Sequence, residues 1–369
     1  MFLRVLCGKE WFWLWLCYVV PSVVKIGFDL LRVSVPPWWI WFWLWLRHAV
    51  SPWGILVFPN LSAFAFIRGQ MILAVADTIK PSMGQLRISA ISFLNTVPLM
   101  WDFENGQSAV ALKQHFDFRY TIPSKCAQEL LAGSADIGII PVAAYTTIPD
   151  LLIIPDVAIA SKNQVRSILL VSKVPIEKIR NVAVDHSSRT STALLKVFLK
   201  KFVGIDPGFT EQSPDLEEML RWHDAGMLIG DPALQAQITG HYVYDLAEQW
   251  HRWTLLPFVF AFWAMRKAAL QSVPASLDVG TVFQQSRDHG LQHVQEIAKS
   301  WSTKLNLKPA MIEEYLTSNI DYSLDQANMA GLKLFYRYAA ECNVLPPAPE
   351  LSFLNSPSQP AFSSQSVSN

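Results

Sequence analysis

From Leu86 onward, short apolar runs alternate with amphipathic stretches, and this alternation leaves few folds open. Leu86–Ser92 (LRISAIS) reads as a strand, Val97–Glu104 as a short helix and Phe116–Thr121 as a second strand. A helix follows over Ser124–Ala132, with Ser124 suited to its N-cap and Gly133 to the position just past its end. Ala135–Val142 (ADIGIIPV) is apolar enough for a strand covered on both faces. Strand, helix, strand, helix, strand in this order calls for a parallel sheet.

A second unit of the same kind begins near residue 173. Asn181–Asp185 is expected as a strand, Thr190–Val203 as an amphipathic helix, Asp215–His223 as a helix and Gly226–Gly230 as a strand. Two apolar runs within Leu151–Ser172 and the segment Tyr244–Arg266 suit crossings out of the first unit and back. Helices are expected over Pro274–Leu305, Pro309–Ser318 and Leu324–Cys342. The expected fold is therefore α/β and two-lobed, each lobe a sheet flanked by helices, with two hinge crossings. Residues 85–172 and 256–345 make lobe 1, residues 173–255 make lobe 2, and the Ser/Pro/Gln-rich tail 346–369 is disordered. In such a fold the ligand belongs between the lobes.

Residues 1–84 are of another kind. They hold nine of the 15 tryptophans and 7 Lys+Arg against 3 Asp+Glu. The string WFWLWL occurs at Trp11–Leu16 and again at Trp41–Leu46, and two copies build no repeat array. The apolar runs Trp11–Val24 and Pro36–Leu46 fall short of the roughly 20 residues that a spanning helix needs. The segment is expected to be an upstream extension ahead of a natural start at Met71 or Met83. Its alternative is an interfacial anchor, the one source of membrane contact expected.

Charge excludes one class of partner. The chain carries 30 Lys+Arg and 30 Asp+Glu, so it has no basic field for phosphate backbones, and nucleic acid is not expected. An anionic ligand must be held by local donors. Cys7, Cys17, Cys126 and Cys342 show no CxxC or Cys/His spacing, which argues against a zinc site and a disulfide framework and fits a reducing compartment.

Two strand-to-helix junctions stand out, because the free N–H groups of a helix start attract anions. The first is Ser92-Phe93-Leu94-Asn95-Thr96-Val97-Pro98, where Asn95 is a ligand contact or a plain cap. The second, Asp185 to Thr192, gathers five hydroxyls and the Arg189 guanidinium, more donors than a cap requires, and reads as a carboxylate or phosphate receptor. It lacks the glycines of a Walker or dinucleotide loop. Asp231 follows a buried strand and is either a ligand contact or an N-cap. Asp136 reads as a turn acid, and His186 as a general base or a loop residue. Trp250, Trp253, Trp263, Phe258, Phe260 and Phe262 suit a pocket for a ring, although most of them equally suit the core.

The strings SFLNTVPL, ADIGIIPVAAY, DHSSRTSTALL, LIGDPAL and DLAEQWHRWTLLPFVFAFW occur in this order. Together they resemble the MqnA family, chorismate dehydratases of the futalosine route to menaquinone, over about Leu86–Cys342. The resemblance implies a type 2 periplasmic-binding-protein-like fold used in the cytoplasm to remove water from chorismate, giving 3-[(1-carboxyvinyl)oxy]benzoate. The resemblance implies no metal or redox cofactor. Asn95 matches the family's key asparagine. Ser188, Arg189, Thr190 and Ser191 match its carboxylate site, Ser167 a cleft serine, and Asp231 an acid whose role stays open. The two helix entrances are expected to face one cleft as two anion receptors for the substrate dianion. The base is expected to be the substrate's own enolpyruvyl carboxylate, with His186 or Asp231 as the competing choice. A solute-binding protein of the same architecture and the dihydroxynaphthoate-forming enzyme of the same pathway are the alternatives.

Overall fold

A computed structural model describes residues 84–354, together with the short strands Phe2–Cys7, Glu10–Trp15, Ile55–Leu56, Phe64–Ile67 and Gln70–Leu73. The chain divides into two compact units, Met1–Lys80 and Pro81–Asn369. In the first unit the two leading strands pair antiparallel, and the other three form a small antiparallel sheet. The readings of residues 1–84 as an extension or an interfacial anchor fall largely outside the described residues. Labels below refer to the second unit.

Its strands are β1 (Leu86–Ile91), β2 (Phe116–Thr121), β3 (Ile137–Pro141), β4 (Leu151–Ser161), β5 (Ile168–Ser172), β6 (Asn181–Asp185), β7 (Gly208–Gln212), β8 (Ala225–Ile229), β9 (Tyr242–Asp245) and β10 (Phe258–Arg266). They form two five-stranded sheets of one design, ordered β2-β1-β3-β10-β4 and β7-β6-β8-β5-β9. In each sheet the fourth strand runs against the other four. That strand, β10 in the first lobe and β5 in the second, is the one laid down directly after the chain crosses.

This topology moves one expected boundary. β5 (ILLVS) was expected in lobe 1, yet it pairs with β8 and β9 of the second sheet, so the chain has crossed before Ile168. The turn that carries it across contains Arg166 at a φ of 63°, whose N–H and that of Val165 both reach the Asp245 carboxylate. Within Tyr244–Arg266 the return crossing is short. That segment ends β9, forms a helix over Leu246–Thr254 and enters β10, leaving Leu255–Pro257 to cross.

The helices used below are α1 (Pro123–Ala132), α2 (Thr190–Val197), α3 (Leu216–Trp222), α4 (Gly230–Gln235), α5 (Leu246–Thr254), α6 (Val279–Gln292), α7 (Val294–Leu305), α8 (Pro309–Glu314) and α9 (Gln326–Glu341). α1 starts one residue before Ser124, with Ile122 as N-cap, because Pro123 has no N–H to satisfy and its φ is already helical. It ends at Gly133 in the left-handed region, as expected. β10 is buried along all but its last residue, with α9 packed on it, which is why FVFAFWAM shows no alternation.

The tail is ordered further than its composition indicates. Leu354 N–H donates to Ile153 O at 2.8 Å, Ile153 N–H to Ser352 O at 2.8 Å, and Tyr145 O–H to Glu350 O at 3.2 Å. The edge strand β4 has free backbone groups there, and pairing with them outweighs the flexible composition of 346–354. Residues 355–369 lie outside the described residues.

Candidate functional site

One carboxylate fastens the first crossing to the start of α5. Asp245 caps α5 by accepting from Ala247 N–H (3.0 Å) and Glu248 N–H (3.1 Å), and it also accepts from Val165 N–H (3.0 Å) and Arg166 N–H (2.6 Å) on the first crossing. From the other side, the end of α8 and the wider helical turn after it, Tyr315–Asn319, grip the same crossing. Arg166 pairs with Glu314 at 3.2 Å, Tyr315 O–H donates to Ser167 Oγ at 2.9 Å, and Asn319 Nδ2 donates to Gln164 O at 3.3 Å.

Between the sheets lies a cleft that encloses about 530 Å³ of empty space, open mouth included. Asn95 reaches it from the turn after β1, Ser167 from the first crossing, and Ser188, Arg189, Thr190 and Ser191 from the turn between β6 and α2. Ile91, Ile159, Val165, Ile229 and Phe260 supply an apolar lining.

The β6–α2 turn is rigid before any ligand arrives. Asp185, buried at its start, accepts from Ser187 N–H and Oγ–H at 2.8 Å each, and Ser188 Oγ accepts from Thr192 N–H at 3.3 Å. No side chain caps α2 at Arg189, and among the described residues the Thr190 and Ser191 N–H groups have no protein acceptor. Those donors, the buried Ser188 and Ser191 hydroxyls and the positive end of the helix make a receptor for one carboxylate. Thr190 has a second task, its Oγ1 accepting from Ala143 N–H of the first lobe at 3.2 Å.

The first junction is built differently from the expected second receptor. Leu94 N–H, the donor at the start of the 3-10 turn Leu94–Met100, is already taken by Asp231 Oδ1 at 2.9 Å. What this junction offers the cleft is the half-buried side chain of Asn95. Asp231 accordingly spans the two lobes and is absent from the cleft lining, as its alternative reading as a cap implies, although it caps the other lobe's turn. Burial pushes its carboxyl up to about 6, against the opposing effects of the Leu94 N–H and the Lys304 charge.

His186 is half-exposed, with Nδ1 on Gln212 O at 3.2 Å, and does not line the cleft. Asp136 is a structural acid, paired with Arg87 at 2.8 Å. Of the six aromatics in Trp250–Trp263, Phe260 alone lines the cleft; Trp250 and Trp263 are core, and Trp253 stacks on Phe202 at 4.1 Å. Cys126 is buried and its thiol is pushed up to about 12, so it is no nucleophile at neutral pH. Sequence reasoning missed Phe93, Gly230 and Tyr315. Gly230 has a φ of 62°, and a Cβ there would sit 2.6 Å from the Phe93 ring.

Comparison with known proteins adds to this geometry. A family model described as menaquinone biosynthesis matches residues 86–341. A chorismate dehydratase of Thermus thermophilus is 31% identical over 252 residues, covering 63% of this chain and 89% of that protein. A chorismate dehydratase of Campylobacter jejuni is 30% identical over 184 residues, covering 49% and 68%. Among solved structures, a protein of Archaeoglobus fulgidus superposes with a TM-score of 0.57 at 16% identity, covering 72% of this chain and all of that one. The alkanesulfonate-binding protein of Xanthomonas axonopodis, bound to MOPS, gives a TM-score of 0.51 at 16% identity, covering 71% and 94%. At such identities the structural likeness shows the fold alone, a two-lobed α/β fold like that of the periplasmic binding proteins.

Proposed function

Because the chain belongs to the menaquinone biosynthesis family, we propose that its interlobe cleft takes chorismate and removes water from it to give 3-[(1-carboxyvinyl)oxy]benzoate. The protein is an enzyme, and its activity is that of a chorismate dehydratase, a carbon–oxygen lyase. The observation that carries this reading is that Asn95 and the Ser188–Ser191 turn, from opposite lobes, line one cleft with an apolar wall.

The ring carboxylate of the substrate docks on the Thr190 and Ser191 N–H groups and the neighbouring hydroxyls, which leaves the enolpyruvyl carboxylate free. Arg189, exposed at the same turn, adds positive charge. The Asn95 amide and the Ser167 hydroxyl meet the reacting edge of the ring. A proton then leaves C3, its electron pair forms the C3–C4 double bond, and the C4 hydroxyl departs with a proton as water. The ring gains aromaticity, so the step is downhill once the groups are aligned, and alignment is what the rigid turns supply.

The base in this reading is the substrate's own enolpyruvyl carboxylate. Two observations support it: His186 faces Gln212 rather than the cleft, and Asp231 is held by the Leu94 N–H. We assign the reaction to the cytoplasm, in keeping with the free, buried thiols of Cys126 and Cys342. Among the described residues, no helix is long and apolar enough to cross a membrane.

The test is direct. Purified protein incubated with chorismate should generate the aromatic absorbance of the benzoate product, with a mass lower by one water. A folded protein that leaves chorismate untouched would instead favour a solute-binding role for the cleft.

A further inference from the structure

Tyr315 carries no motif and lies in a stretch that reads only as a packing helix, yet its phenol stands between two side chains of the cleft. It is fully buried, and its O–H donates to Ser167 Oγ at 2.9 Å. The Asn95 side chain lies beside the same phenol. The wider turn Tyr315–Asn319 aims the ring at this point, a distortion that recurs where helices serve functional sites. Contacts on either side of it, Glu314 with Arg166 and Asn319 with Gln164, hold that turn against the crossing.

We propose that Tyr315 is a positioning residue for the dehydration, fixing the direction of the Ser167 proton. A serine hydroxyl has one proton and two lone pairs. With Tyr315 donating into one lone pair, the Ser167 proton must point elsewhere, and among the described residues no protein group accepts it. Ser167 lines the cleft, so the proton is presented to the substrate oxygen. The arrangement works only while the phenol keeps its proton. Burial raises its pKa well above the ordinary tyrosine value, so it keeps that proton throughout the working range.

This inference rests on the chorismate reading, and its test separates the two. Tyr315→Phe retains the ring and removes the hydroxyl. We expect kcat to fall about ten- to a hundredfold while KM changes by less than about threefold, because the carboxylate receptor on α2 is untouched. A double-mutant cycle with Ser167→Ala supplies the readout that packing alone would not move. The double variant should lose at least about tenfold less than the product of the two single losses, whereas losses that simply multiply would overturn the proposal. Wild-type protein that does not consume chorismate defeats the functional reading instead. The crystal structure of Tyr315→Phe then decides, since a Ser167 side chain in unchanged orientation would also overturn it.

Discussion

The carboxylate of Asp231, at the start of α4 in the second lobe, accepts the main-chain N–H of Leu94 in the first lobe at 2.9 Å. The residue before it, Gly230, lets the Phe93 ring come against its backbone. Lobe closure and the placement of Asn95 are therefore linked, because Asn95 follows Leu94 directly and its turn starts from the bond that Asp231 makes.

That bond has a pH signature. Burial raises the Asp231 carboxyl to about 6 from its ordinary 3.8, so between these values the folded chain holds a proton that the unfolded chain has lost. Stability from this group therefore falls as pH rises from about 4 to about 6. Asp231→Asn keeps an acceptor oxygen and removes the titration. Thermal melts should show the variant gaining on the wild type across that window, by on the order of 2 kcal/mol at pH 7. A difference that stays flat with pH would show that Asp231 does not titrate there.

His186→Ala and Asp231→Asn should each keep kcat within about threefold of wild type, since neither residue lines the cleft. Loss of a true general base costs about a hundredfold or more. Either variant losing that much turnover while still binding product would identify the base in the protein and remove it from the substrate.

Asn95→Ala should lower kcat by about a hundredfold, the usual cost of one preorganised donor at a reacting centre. Product affinity, measured by calorimetry, should change only a few fold because the α2 receptor persists. Full turnover in this variant would take Asn95 out of the chemistry.

Gly230→Ala places a methyl group against the Phe93 ring at a positive φ. We expect a loss of about 1–3 kcal/mol in denaturant melts and a raised KM as the lobes are pushed apart. Phe93→Ala in the same chain should recover much of the KM effect, because the clash is then gone and the backbone strain alone remains. A double variant as impaired as Gly230→Ala would place the defect elsewhere.

The parts of the site that were readable from sequence are those where one local segment does the work. The β6–α2 turn announces itself by its hydroxyls, whereas Asn95 reads from its turn as a ligand contact or a plain cap, and the family resemblance singles it out. Both lobes were readable too, because strand–helix alternation is local. What escaped were relations between distant segments. Asp231 was legible as an acid after a strand, but its partner lies 137 residues upstream. Tyr315 reaches Ser167 across 148 residues and sits on an irregular turn that no periodicity marks. The displaced β5 boundary has the same origin: the run ILLVS is equally apolar in either lobe, and the bonds from Asp245 to Val165 and Arg166 decide where the crossing turns.

The placement of β10 also bears on how this chain is born. β3 and β4 lie in one sheet only through β10, their shared antiparallel partner, which is delivered after the whole second lobe. A ribosome extending from the N-terminus thus releases the second sheet complete while β4 still waits for its neighbour, an apolar ribbon with nothing alongside it. Prematurely terminated chains that end before Phe258 should be sticky for that reason, and chaperone capture during synthesis should be greatest in the interval between the emergence of β4 and of β10.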